Sequence, residues 1–355
     1  MEGMRGLAVL LVFFVHYCTL VVPWLPPQSA IVSLADALRT LGHAGVDLFF
    51  VLSGYLIYGS LIAKPQPFLR FMSRRVVRIY PAFLVVTCVY VVLSFLFPEQ
   101  SKMPAELSRA ALYLAQNLML LPGLFPIEAL NTVAWSLSYE MFYYLIVPIV
   151  IGLLGLRDWT AAKRCALVGA IAIATAIYCA ACGGHVRLIM FISGILLYEV
   201  LKEGRCKSLQ SSPIAFAALL LGLCAMLIPT AGSLGYTLKI VGLFVAFFLL
   251  CLTCFGLPAS LASNMFRWTP ARWLGNMSYS YYLIHGLALK FGFLVFGKIW
   301  PASHVHGVLF WVLLAPMFAL TLAVSAGLFL AIERPLSLQT KPKRPPVPSV
   351  VRAKA

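Results

Sequence analysis

Acidic residues are scarce in this sequence, which has 11 Asp and Glu among 355 residues and only 11% charged residues of either sign. A soluble domain of this length needs a much larger charged surface, so the composition excludes an ordinary soluble protein. Apolar residues dominate instead, at 62% of the chain, and the mean hydropathy is +0.94. Repeated apolar runs of nearly 20 residues predict a polytopic, all-α membrane protein.

The sequence also lacks a basic domain, although its formal net charge is +16. Its Lys and Arg residues lie in short segments between the apolar runs and in the residues after Pro335. No continuous basic surface is therefore available to bind a duplex, and we expect no nucleic-acid partner. Basic loops on the cytoplasmic side of a membrane account for the excess positive charge.

Metal-ligand patterns are weak as well. The chain has nine Cys, and the pairs Cys179/Cys182 and Cys251/Cys254 have C-x-x-C spacing. A zinc site would need further ligands in neighbouring polar loops, and the sequence offers none. We therefore predict no metal site and interpret these cysteines as small residues of membrane helices.

Run length and periodicity predict about ten membrane spans within one transmembrane domain, residues 1–335. The predicted spans are 6–22, 44–62, 77–97, 136–154, 165–182, 187–201, 213–229, 234–256, 273–296 and 307–332. Segment 107–121 is too short to span, so we place it on the outer side as an interfacial or re-entrant helix. Residues 336–355 predict a basic, Pro-rich, disordered cytoplasmic tail.

The distribution of basic residues predicts the orientation of the chain. Most of the 27 Lys and Arg fall on one side if both termini are cytoplasmic. Cytoplasmic loops carry such an excess, so we predict a multi-pass protein of the plasma (inner) membrane with both termini inside.

A histidine lies deep in the first predicted span. Counted from Gly6 at about 1.5 Å per residue, His16 is roughly 15 Å into a hydrocarbon core about 30 Å thick. An ionisable side chain at that depth is costly and indicates a functional site. A histidine that only hydrogen-bonds a neighbouring helix is the alternative, as it is for His285. Ser53 and His285 fall at a similar depth in their own spans.

Six short sequence motifs occur at positions where a membrane protein usually has apolar residues without a specific pattern. In chain order they are Arg5-x10-His16, residues 43–54, residues 74–81, residues 117–122 with 135–140, residues 278–285 and residues 333–335. Together and in this order they closely resemble the acyltransferase 3 family of integral membrane acyltransferases. The resemblance extends over nearly the whole chain.

The resemblance implies transfer of an acyl group, most often acetyl, from cytoplasmic acyl-CoA to a hydroxyl of a carbohydrate. The acceptor would be a surface polysaccharide, a lipid-linked sugar or a glycoside. Acyl-CoA would be a donor substrate and not a permanently bound cofactor. The family's R-x10-H and R-x-x-R residues, usually held essential, correspond here to Arg5, His16, Arg75 and Arg78.

The arginines themselves suit this chemistry. Arg75 and Arg78 are three residues apart and share a helix face, where the second cytoplasmic loop is predicted to meet the third span. Guanidinium groups bind phosphates through paired hydrogen bonds, so Arg74, Arg75 and Arg78, joined by Arg5, could hold the phosphates of CoA. Ordinary positive charge on the cytoplasmic side is the alternative interpretation.

These residues lead to a hypothesis for the reaction. His16 acts as general base on the acceptor hydroxyl, and Ser53, His285 or a backbone N–H stabilises the oxyanion. Glu140 either orients His16 or binds the acceptor sugar, unless it only complements a helix N-terminus. A mechanism with an acyl-histidine intermediate is an alternative.

Two acidic residues are expected to be structural. Asp47 would complement a helix N-terminus, and Glu333 would pair with an arginine of the cytoplasmic face. A secondary transporter and a non-catalytic membrane relative remain alternative functions, although no inverted repeat favours the transporter. The sequence leaves the oligomeric state open.

Overall fold

The computed structural model describes residues 1–338, and over this range the protein is all-α, as predicted. No strand occurs within these residues. The α-helices are Glu2–Val21 (α1), Ala30–Gly42 (α2), Ala44–Ala63 (α3), Phe68–Leu96 (α4), Leu107–Leu118 (α5), Trp135–Leu153 (α6), Ala161–Cys182 (α7), Ile189–Lys202 (α8), Ser212–Leu227 (α9), Gly232–Gly256 (α10), Leu261–Met265 (α11), Thr269–Asn276 (α12), Ser278–Ile299 (α13) and Leu309–Leu328 (α14). A π-helical segment, Phe329–Leu338, extends α14.

Within residues 1–338, eight helical segments are long and apolar enough to cross a membrane, and they contain α1, α3, α4, α6, α7, α10, α13 and α14. The other two predicted spans correspond to α8 and α9, which have only 14 and 16 residues. Most of α8 is buried, which explains how so short a helix is accommodated. The polytopic helical fold is therefore confirmed, whereas the side of the membrane that each end faces stays a prediction.

Two helices differ from the sequence prediction. Helix α4 begins at Phe68, well before the predicted residue 77, so its arginines lie inside a continuous helix and not at a loop junction. Helix α2 was not predicted, because Asp36 and Arg39 interrupt its apolar pattern. These two side chains form an exposed ion pair of 2.9 Å on one helix face. His43 keeps helical dihedral angles, so α2 continues into α3.

Helix α1 lies among the helices that form the site and packs against α2, α3, α12 and α13. Gly6 of α1 approaches α12 so closely that a Cβ would lie 2.1 Å from the carbonyl oxygen of Ala271. Helices α3 and α8 cross equally tightly, since a Cβ on Gly194 would lie 2.1 Å from the carbonyl oxygen of Val51. Both crossings require glycine, and they lie next to Arg5 and close to Ser53 along the chain.

The predicted outer helix is α5, and it does not belong to the long apolar segments. Tyr80 of α4 donates a hydrogen bond of 3.0 Å to the carbonyl oxygen of Leu118, at the end of α5. The Asn117 side chain then accepts from the backbone N–H of buried Leu130 at 2.8 Å. The chain after α5 therefore enters the bundle, which favours the re-entrant over the interfacial alternative.

Buried ion pairs connect the helices. Arg164 of α7 donates two hydrogen bonds, of 2.7 and 2.8 Å, to the carboxylate of Glu199 on α8. Asp47 near the start of α3 is fully buried and pairs with Arg187 at 2.8 Å, so it has a specific partner besides the helix N-terminus.

The expectation that Glu333 pairs with an arginine is wrong. Its carboxylate is fully buried and accepts from the backbone N–H of Ser280 at 3.0 Å and from the Ser280 hydroxyl. The free N–H groups at the start of α13 attract a carboxylate, which explains why Glu333 binds Ser280. Helical structure continues to Leu338, past the predicted domain end at Pro335, and the rest of the predicted tail lies outside the described residues.

Candidate active site

His16 and His285 contact each other between α1 and α13. Their ring centroids are 4.9 Å apart and the rings meet edge to face at 70°. Both were predicted near mid-span, and the structure brings them together. His285 is fully buried, whereas His16 is partly accessible from a cavity.

The orientation of His285 follows from its own helix. Its Nδ1 lies 2.8 Å from the carbonyl oxygen of Tyr281 and 3.0 Å from that of Tyr282, so Nδ1 must carry a proton and donate. The ring stacks on Tyr281 with a centroid distance of 5.1 Å. In the neutral ring Nε2 is then an acceptor, and it has no hydrogen-bond partner among residues 1–338. A neutral His285 therefore cannot donate to an oxyanion from Nε2, which disfavours one of its predicted roles.

The first cavity contains about 660 Å³ of empty space, counted out to its mouth, and is bounded by five helices. Arg5 of α1 and Arg78 of α4 supply positive charge, and Ser53 and Glu140 supply polar groups from α3 and α6. Tyr282 lines it from α13. Four of the eight predicted site residues therefore share one cavity, although they are far apart in the chain.

Glu140 is held by hydroxyl groups inside the first cavity. Its Oε1 accepts from the Tyr144 hydroxyl one turn later on α6, and from Ser53 Oγ at 3.4 Å. Glu140 lines this cavity but not the one into which His16 opens. These surroundings favour a role in which Glu140 contacts a substrate or the cavity arginines. They disfavour the predicted role in which Glu140 orients His16.

The other two arginines of the predicted cluster occupy different surroundings. The Arg75 guanidinium carbon lies 5.0 Å from the ring centroid of Phe71 and 5.2 Å from that of Tyr144. This stacking holds Arg75 beside the first cavity, where its buried Nε has no partner among the described residues. Arg74 is exposed and donates to Gln66, so the structure separates it from the cavity.

A second cavity, of about 550 Å³ counted in the same way, opens beside His16. Thr19 of α1, Asn131 and Thr132 before α6, and Lys290 of α13 contribute its polar side chains. None of these four was singled out from the sequence. Lys290 was detectable as a charge inside an apolar run, but only the fold reveals that it faces the same space as His16.

The wall between the two cavities is thin. Ser136 lines the first cavity and donates at 3.2 Å to the carbonyl oxygen of Val133, which lines the second. Ser136 Oγ also lies 2.8 Å from the Tyr282 hydroxyl. Asn131 fixes this segment to α13 by donating to the carbonyl oxygen of Leu283 at 3.1 Å. A single hydrogen bond therefore links the lining of the arginine-lined cavity to the lining of the cavity beside His16.

The family model described as "Acyltransferase domain" matches residues 1–330, and this match covers both cavities. The chain belongs to the acyltransferase 3 family. The acyltransferase MdmB of Streptomyces mycarofaciens is 25% identical over 373 residues, which are 97% of this chain and 93% of that protein. No solved structure matches the chain.

Two further relatives match smaller parts. The O-acetyltransferase OatA of Staphylococcus aureus is 36% identical over 125 residues, which cover 31% of this chain and 20% of that protein. An uncharacterised protein of Haemophilus influenzae is 33% identical over 117 residues, which cover 30% of this chain and 48% of that protein. The chain thus aligns with less than half of the length of either relative. The family match and the relatives' names support an acyltransferase and disfavour the transporter alternative.

Within this acyltransferase 3 member, the described residues contain no group of three or more His, Cys, Asp or Glu that could hold a metal ion. The polar groups of the two cavities are instead suited to phosphate binding and to proton transfer. Arginines and a carboxylate lie on one side, and a histidine pair with a lysine lies on the other.

Proposed function

We propose that this protein is a membrane O-acyltransferase that moves an acetyl group from cytoplasmic acyl-CoA to a hydroxyl of a carbohydrate. The observation that carries the proposal is the pair of cavities separated by one thin wall, with arginines in the first and His16 in the second. Family membership supports acyl transfer. The acceptor is a surface polysaccharide, a lipid-linked sugar or a glycoside.

The donor binds in and around the first cavity. The phosphates of CoA contact Arg78 and Arg5, with Arg75 beside them, because paired guanidinium hydrogen bonds match phosphate oxygens. Glu140 offsets part of this positive charge and accepts hydrogen bonds from the Ser53 and Tyr144 hydroxyls. The pantetheine arm then carries the thioester toward the wall at Ser136.

The chemical step uses His16 as general base. It takes the proton of the acceptor hydroxyl, whose oxygen attacks the thioester carbonyl carbon, and the tetrahedral oxyanion is stabilised by the Ser53 hydroxyl or a backbone N–H. Collapse breaks the carbon–sulfur bond, and the CoA thiolate takes the proton back from His16. The products are an O-acyl ester and free CoA. His285 Nε2 offers a hydrogen-bond acceptor to the imidazolium of His16 during this step.

The proposed orientation in the membrane determines which cavity meets acyl-CoA. Both termini and the basic loops face the cytoplasm, in the plasma (inner) membrane, so that the arginine-lined cavity opens toward cytoplasmic acyl-CoA.

The test compares cells that express the wild type, His16→Ala or His304→Ala, by mass spectrometry of the surface polysaccharide, glycolipids and small glycosides. His304 is an exposed loop residue and lines neither cavity, so it is the matched control. We expect an acyl-sized mass gain with wild type and His304→Ala and none with His16→Ala. The proposal fails if His16→Ala protein, present in the membrane at the wild-type level, still produces that gain.

A further inference from the structure

Lys290 is a charged side chain that the proposed chemistry does not use. It lies in the interior of α13, eight residues before Lys298 in the last turn of the helix. A lysine at such a position is costly in lipid, and charged residues in membrane spans usually face a cavity or a substrate path. Lys290 fits that rule because it lines the cavity into which His16 opens.

Lys290 differs from three other cations of the bundle, which have partners within the protein. Arg164 and Arg187 are neutralised by buried carboxylates, and Lys239 of α10 donates to the carbonyl oxygen of Met226 at 3.2 Å. Lys290 has neither an ion pair nor a hydrogen bond within residues 1–338, and no acidic side chain lines its cavity. Its charge is therefore available to an external group.

Gly286 leaves room for such a group. It lies one turn before Lys290 and directly after His285, and it lines the same cavity. A Cβ built on Gly286 would meet no atom within 4 Å, so packing does not require glycine there. Thr19 and Thr132 add hydroxyl groups to the lining of the same cavity, so it offers further hydrogen-bond partners beside Lys290.

We propose that the second cavity is the acceptor site, and that the acceptor carries an anionic group that binds Lys290 while its hydroxyl lies at His16. The inference rests on the proposed acyl transfer and adds the chemical class of the acceptor. The anion is a phosphate that links a sugar to a lipid carrier or the carboxylate of an acidic sugar. A protonated lysine binds both, because it is a compact point charge with three donors.

The experiment identifies the acylated product of wild-type cells by mass spectrometry and measures its amount in cells with Lys290→Met, Lys290→Arg, Gly286→Leu and Lys298→Met. Lys298 is the matched control, because it lies on the same helix and is exposed, as Lys290 is, but lines neither cavity. Immunoblots of the membranes check that the wild type and all variants are present in equal amounts. Release of the charge by mild acid indicates a glycosyl phosphate, and its removal by carboxyl reduction indicates an acidic sugar.

We expect an anionic product that falls at least about tenfold with Lys290→Met, as expected for the loss of one charge-assisted hydrogen bond. Lys290→Arg should retain most of the product, Gly286→Leu should abolish it, and Lys298→Met should match the wild type. Two results would overturn the inference and leave the acyl transfer intact. One is a neutral acylated product, and the other is the same amount of acylated product in Lys290→Met and Lys298→Met cells. No acylated product in wild-type cells would overturn the proposed function and this inference with it.

Discussion

At the scale of single residues, the site combines a fixed histidine with an accessible one. His285 is oriented by two carbonyl oxygens of its own helix and by stacking on Tyr281, whereas His16 borders a cavity. The only acceptor that His285 leaves unused is Nε2, next to the ring of His16. In the proposed reaction, His285 is therefore a positioning residue that acts through His16.

Replacing His285 tests this role. His285→Phe keeps an aromatic ring but removes Nε2, so we expect kcat for acyl transfer to fall roughly 10- to 100-fold, the usual effect of losing such a supporting group. The KM for acyl-CoA should not change, because the arginines lie in the other cavity. His285→Gln, which retains an acceptor, should recover part of kcat in the same assay. Equal losses in both variants, or a change in KM alone, would indicate a structural role only.

The arginines of α4 are expected to differ in importance. Arg78 lines the first cavity, whereas Arg74 is exposed and bonded to Gln66. Arg78→Gln should raise the KM for acyl-CoA about tenfold or more, because a charge-assisted hydrogen bond to phosphate is lost. Arg74→Gln is the matched control and should change KM by less than about threefold. Titration of the initial rate against acetyl-CoA measures both, and a larger effect at Arg74 would contradict the cavity assignment.

At the scale of helices, close crossings determine which residues meet. Helices α3 and α8 can approach this closely because residue 194 is a glycine. A Cβ at this position would lie only 2.1 Å from the Val51 carbonyl oxygen. This contact lies beside Ser53, so it also sets one wall of the first cavity. Interior packing is too dense to accept an added methyl group without a shift of the helices.

Gly194→Ala should therefore destabilise the protein by about 1–3 kcal/mol through overpacking. Gly169→Ala in α7 is the control, because a Cβ there would meet no atom within 4 Å. Thermal unfolding of the two purified variants in the same detergent, followed by circular dichroism, gives the comparison. Similar melting temperatures for both variants and the wild type would show that the α3–α8 crossing is looser than described.

At the scale of the whole molecule, the orientation in the membrane decides which cavity meets acyl-CoA. We expect an epitope inserted at residue 66, between α3 and α4, to be cytoplasmic, and one inserted at residue 303, between α13 and α14, to be external. The expectation follows from the excess of Lys and Arg in the loops on the cytoplasmic side. Antibody labelling of intact and permeabilised cells distinguishes the two sides. Labelling of residue 66 in intact cells would reverse the proposed orientation.

Much of the fold could be predicted because the hydrophobic signal of a membrane helix is local. The eight long segments, the short α8 and α9 and the separate character of α5 all follow from run length. Errors arose where charge interrupts a helix. Arg74 to Arg78 concealed the start of α4, and Asp36 with Arg39 concealed α2. The helices accommodate Asp36, Arg39 and Arg74 on exposed faces, whereas Arg75 and Arg78 lie at the first cavity.

The sequence by itself determined the family, the helical membrane fold and most polar residues of the proposed site, because these rest on residue types, on spacings within segments and on the order of the segments along the chain. Only the tertiary structure decided how these residues divide between two cavities. It separated Glu140 from His16, removed Arg74 from the cluster and added Lys290. The physical reason is that a cavity is bounded by several helices, and their crossings depend on contacts between residues far apart in the chain.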